Sequence, residues 1–274
     1  MIETMEPREI WDMHCHIYPD KIAEKAAQAI GRFYNIEMSY PGRSETLLES
    51  GARIGVKHYL VCSAATAPEQ VESINNFIAQ ECDNHPEFTG FGTLHPDMER
   101  FEPEIKRLIS LGLRGVKLHP DFQHFQIDSP RAIEMYRVAS EYGLPFLFHT
   151  GDKRFDYSSP RRLASAMDKV PRLVAIAAHF GGYTEWEQVA DCLNRPNVFF
   201  DTSSTLFELP PKEAVSLLRT LGVERFFFGV DFPMWDHEEE LERFNRLPLT
   251  EGERAQIFSL NARRFFERYR PEDI

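Results

Sequence analysis

The stretch Trp11-Asp12-Met13-His14-Cys15-His16-Ile17-Tyr18-Pro19 decides how the rest of the chain is read. Taken as a β-strand through His16, it alternates its side chains, so Asp12, His14 and His16 share one face. Two imidazoles two residues apart at a strand end can converge on one point. Neutral imidazole is the commonest protein metal ligand, and a carboxylate can orient the ring through its second nitrogen. Asp12 is read in two ways, as that orienting group or as a buried strand aspartate outside the site. Cys15 faces away and is not a ligand.

Outward from this strand, short and almost continuously apolar segments recur at 58–64, 88–95, 113–119, 144–150, 173–180, 198–203 and 225–232. Such runs are typical of parallel strands covered by helices on both sides. Helical patterns lie between them. Asp20 is expected to cap a helix through Arg32 with an inward stripe of Ile22, Ala26, Ala27 and Ile30. Ser44 is expected to cap a second helix that Gly55 ends, and Thr184 to open one reaching Leu193. Ser129-Pro130 and Ser159-Pro160 read as helix starts with proline at the first position. The segment 250–269 is helical, with Thr250 and Glu253 as a capping box. Eight βα units in 274 residues predict a single (β/α)8 barrel domain over 1–274, with its working end at the C-terminal strand ends. A doubly wound sheet fits less well, because no GxGxxG turn follows the first strand.

The composition, 42% hydrophobic and 27% charged, is that of a globular protein. A net charge of −12 argues against nucleic acid or an anionic membrane as partner. Four scattered cysteines form no CxxC pair, and no apolar run approaches the ~20 residues of a membrane span. The first eight residues do not read as a signal peptide. A cytoplasmic location is the expectation.

In a barrel, the strand ends ring one mouth. They carry His14 and His16, then His95, then Lys117 and His119, then His149, His179, Asp201 and Asp231. Lys117 and His119 share a parity, while Phe146 and Phe148 lie opposite His149 and are expected to pack outward under helices. His95 reads as a turn residue before Pro96-Asp97, His58 and His85 as surface residues, and Asp201 as a cap before Thr202 and Ser203.

The motifs DMHCHIYP, GVKLHP, FHTG, AHFGG and FGVDFPM, in this order, resemble the amidohydrolase superfamily. The resemblance is closest to its amidohydrolase-related (amidohydrolase 2) branch, which includes aminocarboxymuconate-semialdehyde decarboxylase-like proteins. It implies metal ligation by His14, His16, His149 and Asp231, with Asp231 also shuttling a proton. His179 matches a second-metal ligand or a residue that polarises substrate. Lys117 and His119 stand where some relatives hold a second metal, through a carboxylated lysine. One divalent ion per chain, Zn2+ first, is expected, and two if Lys117 is carboxylated.

Three imidazoles and a carboxylate suit a divalent ion with an open position for water. The expected chemistry is hydrolysis of an amide, ester or lactone of a small molecule, with Asp231 and His179 as catalytic residues. The alternative is metal-dependent, non-oxidative decarboxylation of a small unsaturated or aromatic acid, which the resemblance of His14–Pro19 to the HxHxxP of the decarboxylase branch favours. A metal-free barrel using Lys117 as a Schiff-base amine is a further rival. Arg154 and Trp235 are expected near the mouth as substrate-binding residues. The long connection 18–57 reads as a lid or as the surface of a homodimer.

Overall fold

The computed structural model describes residues 9–271. Its ladder segments are β1 (Ile10–His16), β2 (Val56–Cys62), β3 (Phe88–Gly90), β4 (Gly92–Thr93), β5 (Val116–Leu118), β6 (Phe146–Phe148), β7 (Ala175–Ala177), β8 (Val198–Asp201) and β9 (Phe226–Phe227). Neighbours pair in parallel, in the orders β1-β2-β3 and β4 through β9. The third expected strand is therefore split at Phe91. Its first half pairs with β2 and its second with β5, and the Phe91 N–H donates to the Val61 carbonyl across the break (2.9 Å).

The seam between the last strand and the first is joined by backbone bonds. Met13 N–H donates to Phe228 O (2.9 Å), Asp231 N–H to His14 O (2.8 Å) and His16 N–H to Phe232 O (2.7 Å). Counting β3 and β4 as one, eight strands ring an axis in a (β/α)8 barrel, as the sequence predicts.

The helices follow in alternation. α1 (Asp20–Tyr34) and α2 (Ser44–Ala52) come after β1, and α3 (Val71–Asn84) after β2. α4 (Glu102–Ser110) follows β4, α5 (Pro120–Gln123) and α6 (Pro130–Glu141) follow β5, and α7 (Pro160–Lys169) follows β6. α8 (Val189–Leu193) and α9 (Pro211–Leu221) follow β7 and β8, and α10 (His237–Asn245), α11 (Glu251–Ala255) and α12 (Asn261–Arg268) complete the chain.

Several local expectations hold. Ser129 Oγ accepts the Ala132 N–H, Ser159 Oγ accepts the Arg162 N–H, and the Thr250–Glu253 capping box is formed. Others do not. Asp20 and Ser44 lie inside their helices, behind Pro19 and Arg43 as caps. Thr184 takes a left-handed φ of 59°, which bars it from capping, and the chain enters α8 through a tight turn at Trp186–Gln188. Of the expected stripe Ile22, Ala26, Ala27 and Ile30, only Ala27 is buried. Ala23, Ala27 and Gly31, one residue on, face inward, and Ile22 is 49% exposed.

The side-chain alternation separates two cores. Val116, Leu118, Phe146 and Phe148 point outward, and Tyr136 of α6 packs edge-on against both phenylalanines (5.2 and 5.4 Å between centroids). Leu147, Ile176, Phe199 and Phe227 point inward, where Phe265 and Phe266 of α12 close the lower end. Above this plug the inward positions are polar. The barrel is therefore filled below with carbon and above with imidazole, amine and carboxylate.

Asp12 secures the seam. Its Oδ1 accepts the backbone N–H of His14 (3.1 Å) and of Val230 (3.0 Å), and its Oδ2 meets His237 Nε2 at 3.1 Å. His237 in turn reaches Ser50 of α2 through Nδ1 (2.8 Å). Of its two sequence readings, this is the structural one. Replacing Asp12 by Ala strands two buried backbone donors and the His237 ring N–H, and should lower stability by roughly 3 kcal/mol. A urea midpoint equal to the wild type would refute this.

Candidate metal centre at the barrel mouth

His14 and His16 leave β1 on its inward face, and their Nε2 atoms lie 3.2 Å apart. Asp231 Oδ1 stands 3.6 Å from the first and 3.5 Å from the second. With ligand bonds of about 2.1 Å, corners of a coordination tetrahedron are separated by about 3.4 Å. The three atoms thus have the spacing at which one divalent ion could bind all of them.

The tautomer of His14 favours this. Its Nδ1 lies 3.0 Å from Asp201 Oδ2, both side chains being fully buried. A carboxylate only accepts, so Nδ1 carries the proton and the Nε2 lone pair faces the cavity. Asp201 Oδ1 also accepts from the N–H of His179 (3.1 Å) and of Ser203 (3.0 Å) and from Ser203 Oγ (2.5 Å). Asp201 does cap Ser203, but it also orients His14, a role the sequence reading missed. Lys117, buried within the barrel, places Nζ 2.9 Å from His14 Nε2. Burial pulls its pKa down, opposed by the nearby Asp231 and Asp201 carboxyls.

The facing wall holds the remaining histidines. His149 Nδ1 meets His179 Nε2 at 3.0 Å, and His179 Nδ1 meets Ser203 Oγ at 3.0 Å. The His149 ring stacks on His119 (4.0 Å, 8°), and His119 stacks on Phe122 (3.7 Å, 12°). His14, His16, Lys117, His119, His149, His179 and Asp231 all border one small cavity of about 30 Å³. His149 is not part of the three-atom group, however. It has His179 on one side and, on the other, the Tyr34 hydroxyl (3.5 Å) and Asp121 (3.8 Å).

Burial pushes the pKa of His14, His16, His119 and His149 well down, and that of His179 to about 3, so these rings are uncharged and keep a lone pair. Burial has the opposite effect on Asp231, raising it to about 7 against the restraining hydrogen bond from Ser204. Three non-glycine residues around the site, His179, Ser204 and Asp231, adopt left-handed φ values of 62°, 44° and 65°. Such backbone strain persists where surrounding contacts enforce it, and it gathers at functional sites.

The two expected substrate residues take different positions. Arg154 is spent on Asp152 (Nε–Oδ1 2.9 Å, Nη2–Oδ2 2.7 Å) and on the Phe33 carbonyl, so its guanidinium is not a free anion receptor. Trp235 does not border the cavity. Its Nε1–H donates to Ser204 Oγ (2.9 Å), which donates to Asp231 Oδ2 (2.6 Å), so it acts on the site through Ser204. Tyr34 was missed in the sequence. It ends α1, which lies over the mouth, and its hydroxyl sits 2.9 Å from His119 Nε2. Nothing in the local sequence distinguishes it from a loop aromatic.

The Amidohydrolase family model matches residues 11–268. No curated protein matches the sequence. Among solved structures, the chain is similar to 5-carboxyvanillate decarboxylase from Sphingomonas paucimobilis (17% identity, TM-score 0.72, 95% of this chain and 99% of that one). It is also similar to a manganese-bound dihydroxybenzoic acid decarboxylase from Polaromonas (15%, TM-score 0.74, 95% and 97%). A third is a probable 2-pyrone-4,6-dicarboxylic acid hydrolase from Acinetobacter baumannii (15%, TM-score 0.70, 94% and 99%). At these identities the likeness establishes the barrel. With the family model spanning nearly the whole chain, this protein belongs to the Amidohydrolase family.

Proposed function

We propose that the mouth binds one divalent cation, Zn2+ first, through His14, His16 and Asp231 with His149 opposite, and that the protein hydrolyses an amide, ester or lactone of a small molecule. Asp231 carries this reading. Its carboxyl stands 3.6 and 3.5 Å from the two β1 imidazoles, at the same corner of the mouth where a water beside the cation would give up its proton. The cation supplies Lewis acidity and draws down the pKa of a nearby water. The protein's own groups do the rest. Ser204 orients the Asp231 carboxyl, Asp201 holds the His14 tautomer, and His179 fixes the His149 ring on the facing wall.

A second reading, non-oxidative decarboxylation of an aromatic or unsaturated acid, draws on two relatives named as decarboxylases and on the flat Phe122–His119 wall. It would leave Asp231 to protonate carbon rather than to take a proton from water.

Elemental analysis should find about one divalent ion per chain, and His14→Ala should lose it. A wild-type protein fully active without metal would overturn the proposal. Replacing Asp201 by Asn, which can present a donor to Nδ1, should weaken metal binding by roughly 10–100-fold in chelator competition; unchanged affinity would contradict the tautomer assignment. Turnover in 18O-labelled water separates the two chemistries. Label in the product acid without CO2 supports hydrolysis, whereas CO2 release from an aromatic acid panel, with no label in the remaining aromatic product, supports decarboxylation.

A further inference from the structure

The cavity at the metal-ligand candidates, about 30 Å³, holds no more than a water or two. Ligand pockets usually begin near about 300 Å³. Immediately beside it lies a chamber of about 380 Å³, and Ile30 of α1 borders both. The chamber is a cleft open to solvent on one side, lying between α1, α3 and the segments that follow β1 and β2. Tyr18 and Pro19 follow His16 there, and Ser63 and Ala64 follow Cys62, whose Sγ is 3.9 Å from His16 Nδ1.

The chamber offers an occupant almost only carbon. Ser63 Oγ donates to Ile17 O (2.5 Å), Thr66 Oγ1 to Gln70 Oε1 (3.0 Å) and Ser73 Oγ to Gln70 O (2.9 Å). These polar groups are already bonded. Apart from the Tyr18 hydroxyl and the Gln70 amide, the remainder of the lining is aliphatic or aromatic, including Ile22, Ala26, Ala29 and Ile30 from α1 and Ile74 and Phe77 from α3. This accounts for the second apolar stripe of α1. One stripe, Ala23, Ala27 and Gly31, packs inward, while Ile22, Ala26 and Ile30 line the chamber.

We infer that this chamber is the specificity subsite for the substrate's apolar substituent. The reacting carbonyl group sits at the His14–His16–Asp231 corner, and an alkyl or aryl tail passes Ile30 to lie between α1 and α3. The substrate class is then an amphiphilic carboxylic acid derivative, with a polar head and an apolar tail. The inference rests on the hydrolase reading for the chemistry at the head, but not for the binding of the tail.

The test is calorimetric titration of the zinc-loaded protein with butyrate, hexanoate and octanoate, repeated on Ala26→Trp and Ala29→Trp. Both alanines border the chamber and neither borders the metal-facing cavity. Burying the tail should raise wild-type affinity roughly fourfold per methylene. Either tryptophan should flatten the series and leave butyrate binding in place. A flat wild-type series, or a series unchanged in folded variants, overturns the inference; the wild-type series decides it even if neither variant folds. Hydrolysis of the matching methyl esters separates the two failures. Chain-dependent binding without ester cleavage sinks the hydrolase reading and keeps the chamber. Cleavage with no dependence on chain length does the reverse.

Discussion

His14 is the residue at which the barrel and its site are the same structure. Its backbone N–H donates to Asp12 and its carbonyl accepts from Asp231, so it helps close the seam between the first strand and the last. Its Nδ1 faces Asp201 from β8, and its Nε2 faces His16, Lys117 and Asp231. One side chain therefore collects groups from four parts of the ring. Each of these bonds is made in a buried place where an unpaired polar group would cost roughly 1–3 kcal/mol, so the arrangement has little freedom to drift.

Burial also sets the charge state of the site. Crowded imidazoles could not all be protonated next to a lysine, and desolvation keeps them neutral with lone pairs available. The same desolvation raises the Asp231 carboxyl to about 7. A single environment thus sets the charge state of the imidazoles and of the carboxyl beside them together. Below this layer the phenylalanines of β8, β9 and α12 exclude water from the barrel's lower half.

The connection between β1 and β2 shapes the approach to this layer. α1 contributes Ile30 and Tyr34 to the mouth, and the Ser39 and Tyr40 N–H groups bond to the carbonyls of Met234 and Pro233 beyond β9. It thereby covers the cavity from the side of the last strand and leaves the chamber on the side of β2. No helix among the described residues is long and apolar enough to cross a membrane.

Strand number, the inward parity of His14, His16 and Lys117, and the outward packing of Phe146 and Phe148 were legible in the sequence. All of these follow from the period-two alternation of a strand and the apolar runs of a covered parallel sheet. Helix starts marked by Ser-Pro were legible for the same reason, because capping is local chemistry. The tertiary structure alone decided the rest. Asp201 looks like a cap until the barrel brings it to His14, 187 residues away in sequence. Arg154 looks free until folding places Asp152 across its guanidinium, and Tyr34 looks like a loop residue until α1 lies over the mouth. The two apolar stripes of α1 differ by one residue in register, and only packing against the barrel determines which is core and which faces the chamber. Alternation and capping act over a few residues and can be read along the chain; pairing and covering act across space, and the closed ring of strands chooses the partners.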